Sequence, residues 1–172
     1  MLKKLFILVL AVCFTTNVFS AYTWDNDSAD NMLDTLSNWD PDLAGWIDTE
    51  DYIVDDTDNL GGAVLVDNTV DVAMNRFKMG SVTAGNAAVD MTGGIIAATR
   101  IYMGEGGSAM NVTFDLSGGE LRSSKNVNLG FSGAEVTFNM SGGLLQYKNK
   151  YGYTLYIGKD NLSTVNFNLS GG

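Results

Sequence analysis

The sequence predicts an all-β chain, a right-handed parallel β-helix (β-solenoid) with coils of about 25 residues, and three observations predict it. First, Gly-Gly pairs end at Gly94, Gly119, Gly143 and Gly172, at spacings of 25, 24 and 29 residues. Second, an apolar-x-apolar-Gly signature recurs as Phe77-Lys-Met-Gly80, Ile101-Tyr-Met-Gly104, Val127-Asn-Leu-Gly130 and Leu155-Tyr-Ile-Gly158, at spacings of 24, 26 and 28. Third, period 2 rules inside each unit: Val112, Phe114 and Leu116 alternate with Thr113, Asp115 and Ser117. Val136, Phe138 and Met140 repeat that register, as do Val165, Phe167 and Leu169, and Ala87, Val89 and Met91 form a weaker copy. A propeller blade needs roughly 40–50 residues, more than this period supplies.

Each unit holds up to three short strands. One precedes Gly-Gly, one follows it (Glu120-Leu-Arg122, Leu144-Leu-Gln146), and one carries the apolar-x-apolar-Gly signature. Glycine between them permits a sharp corner with positive φ. A single coil cannot bury its apolar face; stacked coils bury a continuous core and pair every backbone group with the coil above or below. In that register Phe114, Phe138 and Phe167 form an internal aromatic stack, and Asp90, Asp115, Asn139 and Asn168 form an outward polar column.

The chain divides into three parts. Met1–Ser20 reads as a signal peptide: Lys3-Lys4, an apolar Leu5–Phe14, then Val18-Phe-Ser20 before Ala21. The apolar core is too short to remain as a membrane span, so none is expected beyond the leader. Cys13 could serve as a lipoprotein acceptor, but Val12 stands where such sites carry a small residue. Residues 21–62 form an acidic, Trp-containing amino-terminal cap, in which Asp30–Leu36 has the makings of a short helical turn. Residues 63–172 form the solenoid repeats. These stop at Gly172, where the repeat calls for another strand, so the chain is expected to be an amino-terminal fragment.

The formal charge of −10 is unevenly spread. Residues 21–75 contain 14 acidic and no basic side chains, whereas residues 76–172 carry 8 basic and 6 acidic ones. No basic stripe points to nucleic acid. Cys13 is the single cysteine and histidine is absent, which excludes Cys–His and Ser–His nucleophilic sites and the usual zinc sites. Once the leader is removed no disulfide can form, and stability must come from packing and ladder hydrogen bonds.

Trp24, Trp39 and Trp46 suit a plug for the open first coil, although tryptophans can also stack on sugars. Two oxygen-rich clusters are weak calcium candidates: Asp25, Asp27 and Asp30, and Asp55, Asp56 and Asp58. Neither matches an EF-hand loop, and no other cofactor is implied. The third unit carries an insertion, Tyr147–Tyr153, whose Tyr147, Lys148, Lys150, Tyr151 and Tyr153 make an aromatic, basic ligand-contact loop. Asp90 and Asp115 fall on adjacent coils about 4.8 Å apart. Paired carboxylates at about 5–5.5 Å can run glycoside hydrolysis, but their continuation as Asn139 and Asn168 reads as a solvent-facing ladder, so no catalytic residue is assigned.

The unit apolar-x-Ile-Gly … Val-x-Phe-Asn-x-Ser-Gly-Gly-x-Leu resembles the repeats of large secreted bacterial proteins with autotransporter-type β-helical passenger regions, many of which carry a carboxy-terminal sorting or anchoring segment. The opening Trp24-Asp … Asn38-Trp39-Asp40 is similar to the start of such proteins. The resemblance implies a secreted or cell-surface structural or adhesive role, with polysaccharide or neighbouring surface components as partners. It brings no catalytic residues. The alternative is the amino-terminal part of a carbohydrate-active β-helix enzyme, of the polysaccharide lyase or glycoside hydrolase type.

Overall fold

The computed structural model describes residues 21–40, 45–55, 57, 62–81, 85–106, 110–148, 152–158 and 162–171. The expected leader over residues 1–20, with Cys13, and Asp56, Asp58, Lys150 and Tyr151 lie outside the described residues.

The strands in chain order are β1 (Ala21–Trp24), β2 (Trp39–Asp40), β3 (Asp51–Val54), β4 (Val64–Val66), β5 (Asp71–Met79), β6 (Gly85–Met91), β7 (Ile95–Met103), β8 (Met110–Leu116), β9 (Glu120–Ser123), β10 (Val127–Leu129), β11 (Glu135–Met140), β12 (Leu144–Tyr147), β13 (Leu155–Ile157) and β14 (Thr164–Leu169). They form two sheets that face each other across one core. Sheet B runs β14-β11-β8-β6-β4, all parallel. Sheet A runs β12-β9-β7-β5-β3-β1-β2, with β10 and β13 continuing it alongside β7. Every pairing in it is parallel except β1 with β2. The chain is therefore an all-β parallel solenoid, with coils of about 25 residues.

The register is the one the repeat demands. Val112, Phe114 and Leu116 pair with Val136, Phe138 and Met140, and those with Val165, Phe167 and Leu169. The phenylalanines stack coil upon coil: Phe114–Phe138 lie 5.4 Å apart at 4°, and Phe138–Phe167 lie 5.0 Å apart at 13°. Phe77 reaches across from sheet A to meet Phe114 edge-on at 6.4 Å. Phe114 and Phe138 are fully buried, and each such side chain contributes on the order of 1.5–3 kcal/mol through burial.

The number of strands per coil varies, and insertions decide it. In β5, after the Asp67–Val70 corner, and in β7, after Gly93-Gly94, the strand that leaves the corner runs straight into the apolar-x-apolar-Gly strand, giving nine residues. Their pairing lapses only at Asn75 and Thr99. In the next coils residues 124–126 and 148–154 intervene, and the same path splits into β9 and β10, then β12 and β13.

The parallel ladder also reaches into the segment expected to be an irregular cap. Ala21 pairs with Asp51, and Asp51 with Arg76. Tyr52-Ile-Val54-Asp55 and Tyr22-Thr-Trp24-Asp25 thus repeat the apolar-x-apolar-Gly strand with aspartate at the corner. Asp55 is buried, and its Oδ1 accepts the Ser81 amide at 2.7 Å, so this carboxylate clamps the neighbouring corner. Asp51, also buried, accepts from Arg76 Nε at 2.7 Å and Asn75 Nδ2 at 3.0 Å, with Lys78 Nζ at 3.5 Å.

Aromatics close this end. Trp39 meets Trp24, Trp46 and Tyr52 edge-on, at 5.4, 5.8 and 5.2 Å, and Tyr22 stacks on Tyr52 at 5.4 Å. Trp39 Nε1 donates to the Leu33 carbonyl at 3.0 Å. The helical turn expected over Asp30–Leu36 instead falls at Leu36–Asn38, as one turn of 3-10 helix. The chain before it turns with positive φ at Asn26, Ala29 and Asn31, which is incompatible with a helix. At the opposite end β12, β13 and β14 are each paired on one side only among the described residues. Leu144, Leu155, Ile157 and Leu169 of this coil are exposed.

Candidate functional site

The insertion predicted as a ligand-contact loop is only partly a loop. Tyr147 is the last residue of β12; it packs against the core and its hydroxyl is buried. Lys148 is exposed, with its amide bound to the Ser123 carbonyl at 2.9 Å. Tyr153 is half-buried, and Lys125 Nζ sits 5.8 Å from its ring centroid, within cation–π range. Lys148 and Tyr153 therefore belong to different surroundings: Lys148 to a groove on sheet A, Tyr153 to a contact with Lys125.

The groove lies on sheet A beside Thr99, where the β5–β7 pairing lapses, and has a volume of about 300 Å³. It crosses successive coils along the solenoid axis. Ala73 and Ala97 pair with each other, and Ala97 and Gln146 both flank Arg122, so one outward column passes from small to large side chains. Thr99, Ser124 and Lys148 line the other side, and Asp48 stands at the cap end. Arg122 is ion-paired with Glu120 on its own strand. Sequence reasoning did not find this site. The available signal was Ile95-Ile-Ala-Ala-Thr99, a strand with alanine where an outward polar residue is expected.

The acidic pair lies on the opposite sheet. Asp90 pairs with Asp115, Asp115 with Asn139 and Asn139 with Asn168, as the repeat predicts. Asn139 Nδ2 donates to Asp115 at 2.6 Å, and Asn168 Nδ2 to Asn139 Oδ1 at 2.7 Å, giving a continuous side-chain ladder. Partial burial, then the charge of Asp115 and a hydrogen bond shared with it, raise the Asp90 pKa above the ordinary carboxylate value. A raised folded pKa means that the native state holds this proton more tightly. The associated stability is complete below the ordinary value near 3.8 and is lost as pH rises through the raised one. Asp90→Asn is therefore expected to raise the melting temperature by a few degrees at pH 7 and to change nothing at pH 3, as read by thermal melts at the two pH values.

Compared with protein-family models, curated proteins and solved structures, the chain matches none of them. The resemblance to autotransporter-type repeats therefore rests on the repeat residues themselves. Among the described residues no helix is long and apolar enough to cross a membrane.

Of the candidate calcium ligands, Asp25, Asp30 and Asp55 are engaged in the fold. Asp30 Oδ1 accepts the Met32 amide at 3.0 Å and Asn38 Nδ2 at 2.8 Å, while Oδ2 accepts Thr35 Oγ1 at 2.7 Å. Desolvation alone would raise its pKa; these donors, led by the Met32 amide, outweigh it and lower the pKa to about 2. Asp25 turns back on its own loop, accepting the Asp27 amide at 3.3 Å. Asp25, Asp27 and Asp30 are not drawn together around a common point, and Asp55 is bound to Ser81. Among the described residues no group of three or more Asp, Glu, His or Cys side chains converges to hold a metal. Asp56 and Asp58 lie outside the described residues.

Proposed function

We propose that the chain is a secreted or cell-surface structural repeat protein: a rigid rod that displays side chains on its outer faces, in an adhesive role, to polysaccharide or neighbouring surface components. The observation that carries this reading is the unbroken register of sheet B from coil to coil. Backbone ladder, phenylalanine stack and outward Asp/Asn ladder all run along one axis. Such stacking makes each coil rigid against its neighbours and leaves the outer columns free to vary. The charged leader at Met1–Ser20 and the absence of any cysteine after residue 13 suit an exported chain. The enzymatic alternative draws on Asp90 and Asp115, yet these stand in a polar ladder on sheet B, away from the groove on sheet A.

Surface labelling tests the proposal. Bacterial cells expressing the full chain with a carboxy-terminal tag are stained with an antibody to the tag, before and after permeabilisation. Staining of intact cells, or tag in the medium, is expected, and deletion of residues 1–20 is expected to confine it to permeabilised cells. Staining of the full chain only after permeabilisation would overturn the reading.

A further inference from the structure

We propose that the carboxy-terminal end of the solenoid is a self-association surface, on which β14 pairs antiparallel with β14 of a second copy and joins two chains end to end through a two-fold axis at Phe167. The inference goes beyond the display reading and does not depend on it.

The end coil presents the surface that every coil beneath it buries. Val136, Phe138 and Met140 of β11 are covered by Val165, Phe167 and Leu169 of β14, but among the described residues no strand pairs with β14 in turn. Phe167 is the last ring of the stack, with Phe138 5.0 Å away on one side. Leu155 ends the column Phe77–Ile101–Val127, whose first member meets Phe114 across the core. Leu155, Ile157 and Leu169 are exposed. Open edges of this kind are blunted in soluble proteins by lysine, proline or other charged residues. β12 (Leu-Leu-Gln-Tyr), β13 (Leu-Tyr-Ile) and β14 (Thr-Val-Asn-Phe-Asn-Leu) contain none. The covered strands do carry charge: Asp115 in β8, Glu120 and Arg122 in β9, Glu135 in β11.

The sequence of β14 selects a second copy as the occupant. Val165-Asn-Phe-Asn-Leu169 has the same pattern read in either direction. Turned about Phe167 and paired antiparallel, it sets Phe167 against Phe167, Val165 against Leu169, and Asn166 against Asn168 of the second copy. Apolar residues then meet on the core side and amides on the outer side. A displacement by one residue would set phenylalanine against asparagine. The outer ladder continues across the join: Asn139 donates to Asp115 and Asn168 to Asn139, and an amide supplies both donors and an acceptor for the next step. Because the two-fold makes the contact isologous, it closes as a dimer and does not propagate into a fibre.

The amino-terminal end offers no such edge. β2 already covers β1 antiparallel, and Trp24, Trp39 and Trp46 pack together there. Charge separates the two ends as well. Residues 21–75 carry 14 acidic and no basic side chains, whereas residues 76–172 carry 8 basic and 6 acidic ones, so two amino-terminal ends repel and two carboxy-terminal ends meet close to neutrality.

Sedimentation velocity of the untagged full chain over a dilution series tests this. A dimer that dissociates on dilution is expected. N166K/N168K sets lysine against lysine at both outer contacts, and is expected to weaken the dimer about tenfold or more while the dilute chain keeps its melting temperature within a few degrees. An equimolar mixture of N166K/N168K with N166D/N168D is expected to restore a dimer containing one of each. The register has its own readout in native mass spectrometry: N166K should favour heterodimers with N168D and mix with N166D only in statistical proportion. A monomer up to about 100 μM, a dimer indifferent to N166K/N168K, growth beyond the dimer, or a preference of N166K for N166D over N168D would overturn the proposal.

Discussion

Phe138→Asp is expected to unfold the chain. Phe138 is fully buried between Phe114 and Phe167, with ring centroids 5.4 and 5.0 Å away. Truncation to alanine at such a site costs about 3–5 kcal/mol. Aspartate adds a carboxylate with no partner in an apolar stack, so the cost is on the order of 5 kcal/mol or more, comparable to the whole stability of a typical domain. The neighbouring Asn139→Ser sets the contrast. Asn139 is partly exposed, and its loss removes two side-chain hydrogen bonds, to Asp115 and Asn168, at about 1 kcal/mol. Circular dichroism melts of the two variants read the difference directly. Because side chains alternate faces along a strand, equal losses would mean that the register is displaced by one residue.

Gly119→Ala is expected to destabilise the stack by about 3 kcal/mol, combining a strained backbone with a close approach. Gly119 sits at φ +76, and a Cβ there would lie 2.3 Å from the carbonyl oxygen of Gly93 and 2.6 Å from that of Gly94, one coil below. Those atoms are backbone and cannot move without opening the ladder. Gly152 supplies the control: it has φ +75 and nothing within 4 Å of the same position. Gly152→Ala should therefore cost only the left-handed strain, on the order of 1–2 kcal/mol. Denaturant titrations of both variants separate the two terms. Equal midpoints would show that coil-to-coil contact at the Gly-Gly corner contributes nothing.

These two sites explain why the repeat was readable. A solenoid places equivalent residues of successive coils in direct contact, so each coil constrains the next at the same positions, and the constraint surfaces as a sequence period. The phenylalanine stack, the Asp90–Asn168 column and the Gly-Gly corners were all legible for that reason. The first coils were harder to see. Tyr22-Thr-Trp24-Asp25 and Tyr52-Ile-Val54-Asp55 keep the apolar spacing but replace the corner glycine by aspartate, and Asp55 fixes its corner through Ser81 rather than by positive φ.

The sequence by itself determined the fold class, the coil length, the strand register and which side chains face inward, because period 2 and the coil repeat both follow from backbone geometry that every coil shares. Only the tertiary structure decided where the surface turns concave and what lines it. The groove joins Ala73, Ala97, Arg122, Gln146 and Lys148 from four coils, beside Thr99, where the β5–β7 pairing lapses. Outward columns carry no shared packing constraint, so their residues change from coil to coil and leave no period to read. Tyr147 shows the same limit from the other side. Its place in an aromatic, basic stretch suggested a ligand loop, but β12 extends one residue further and pairs Tyr147 with Ser123, which turns the ring into the core.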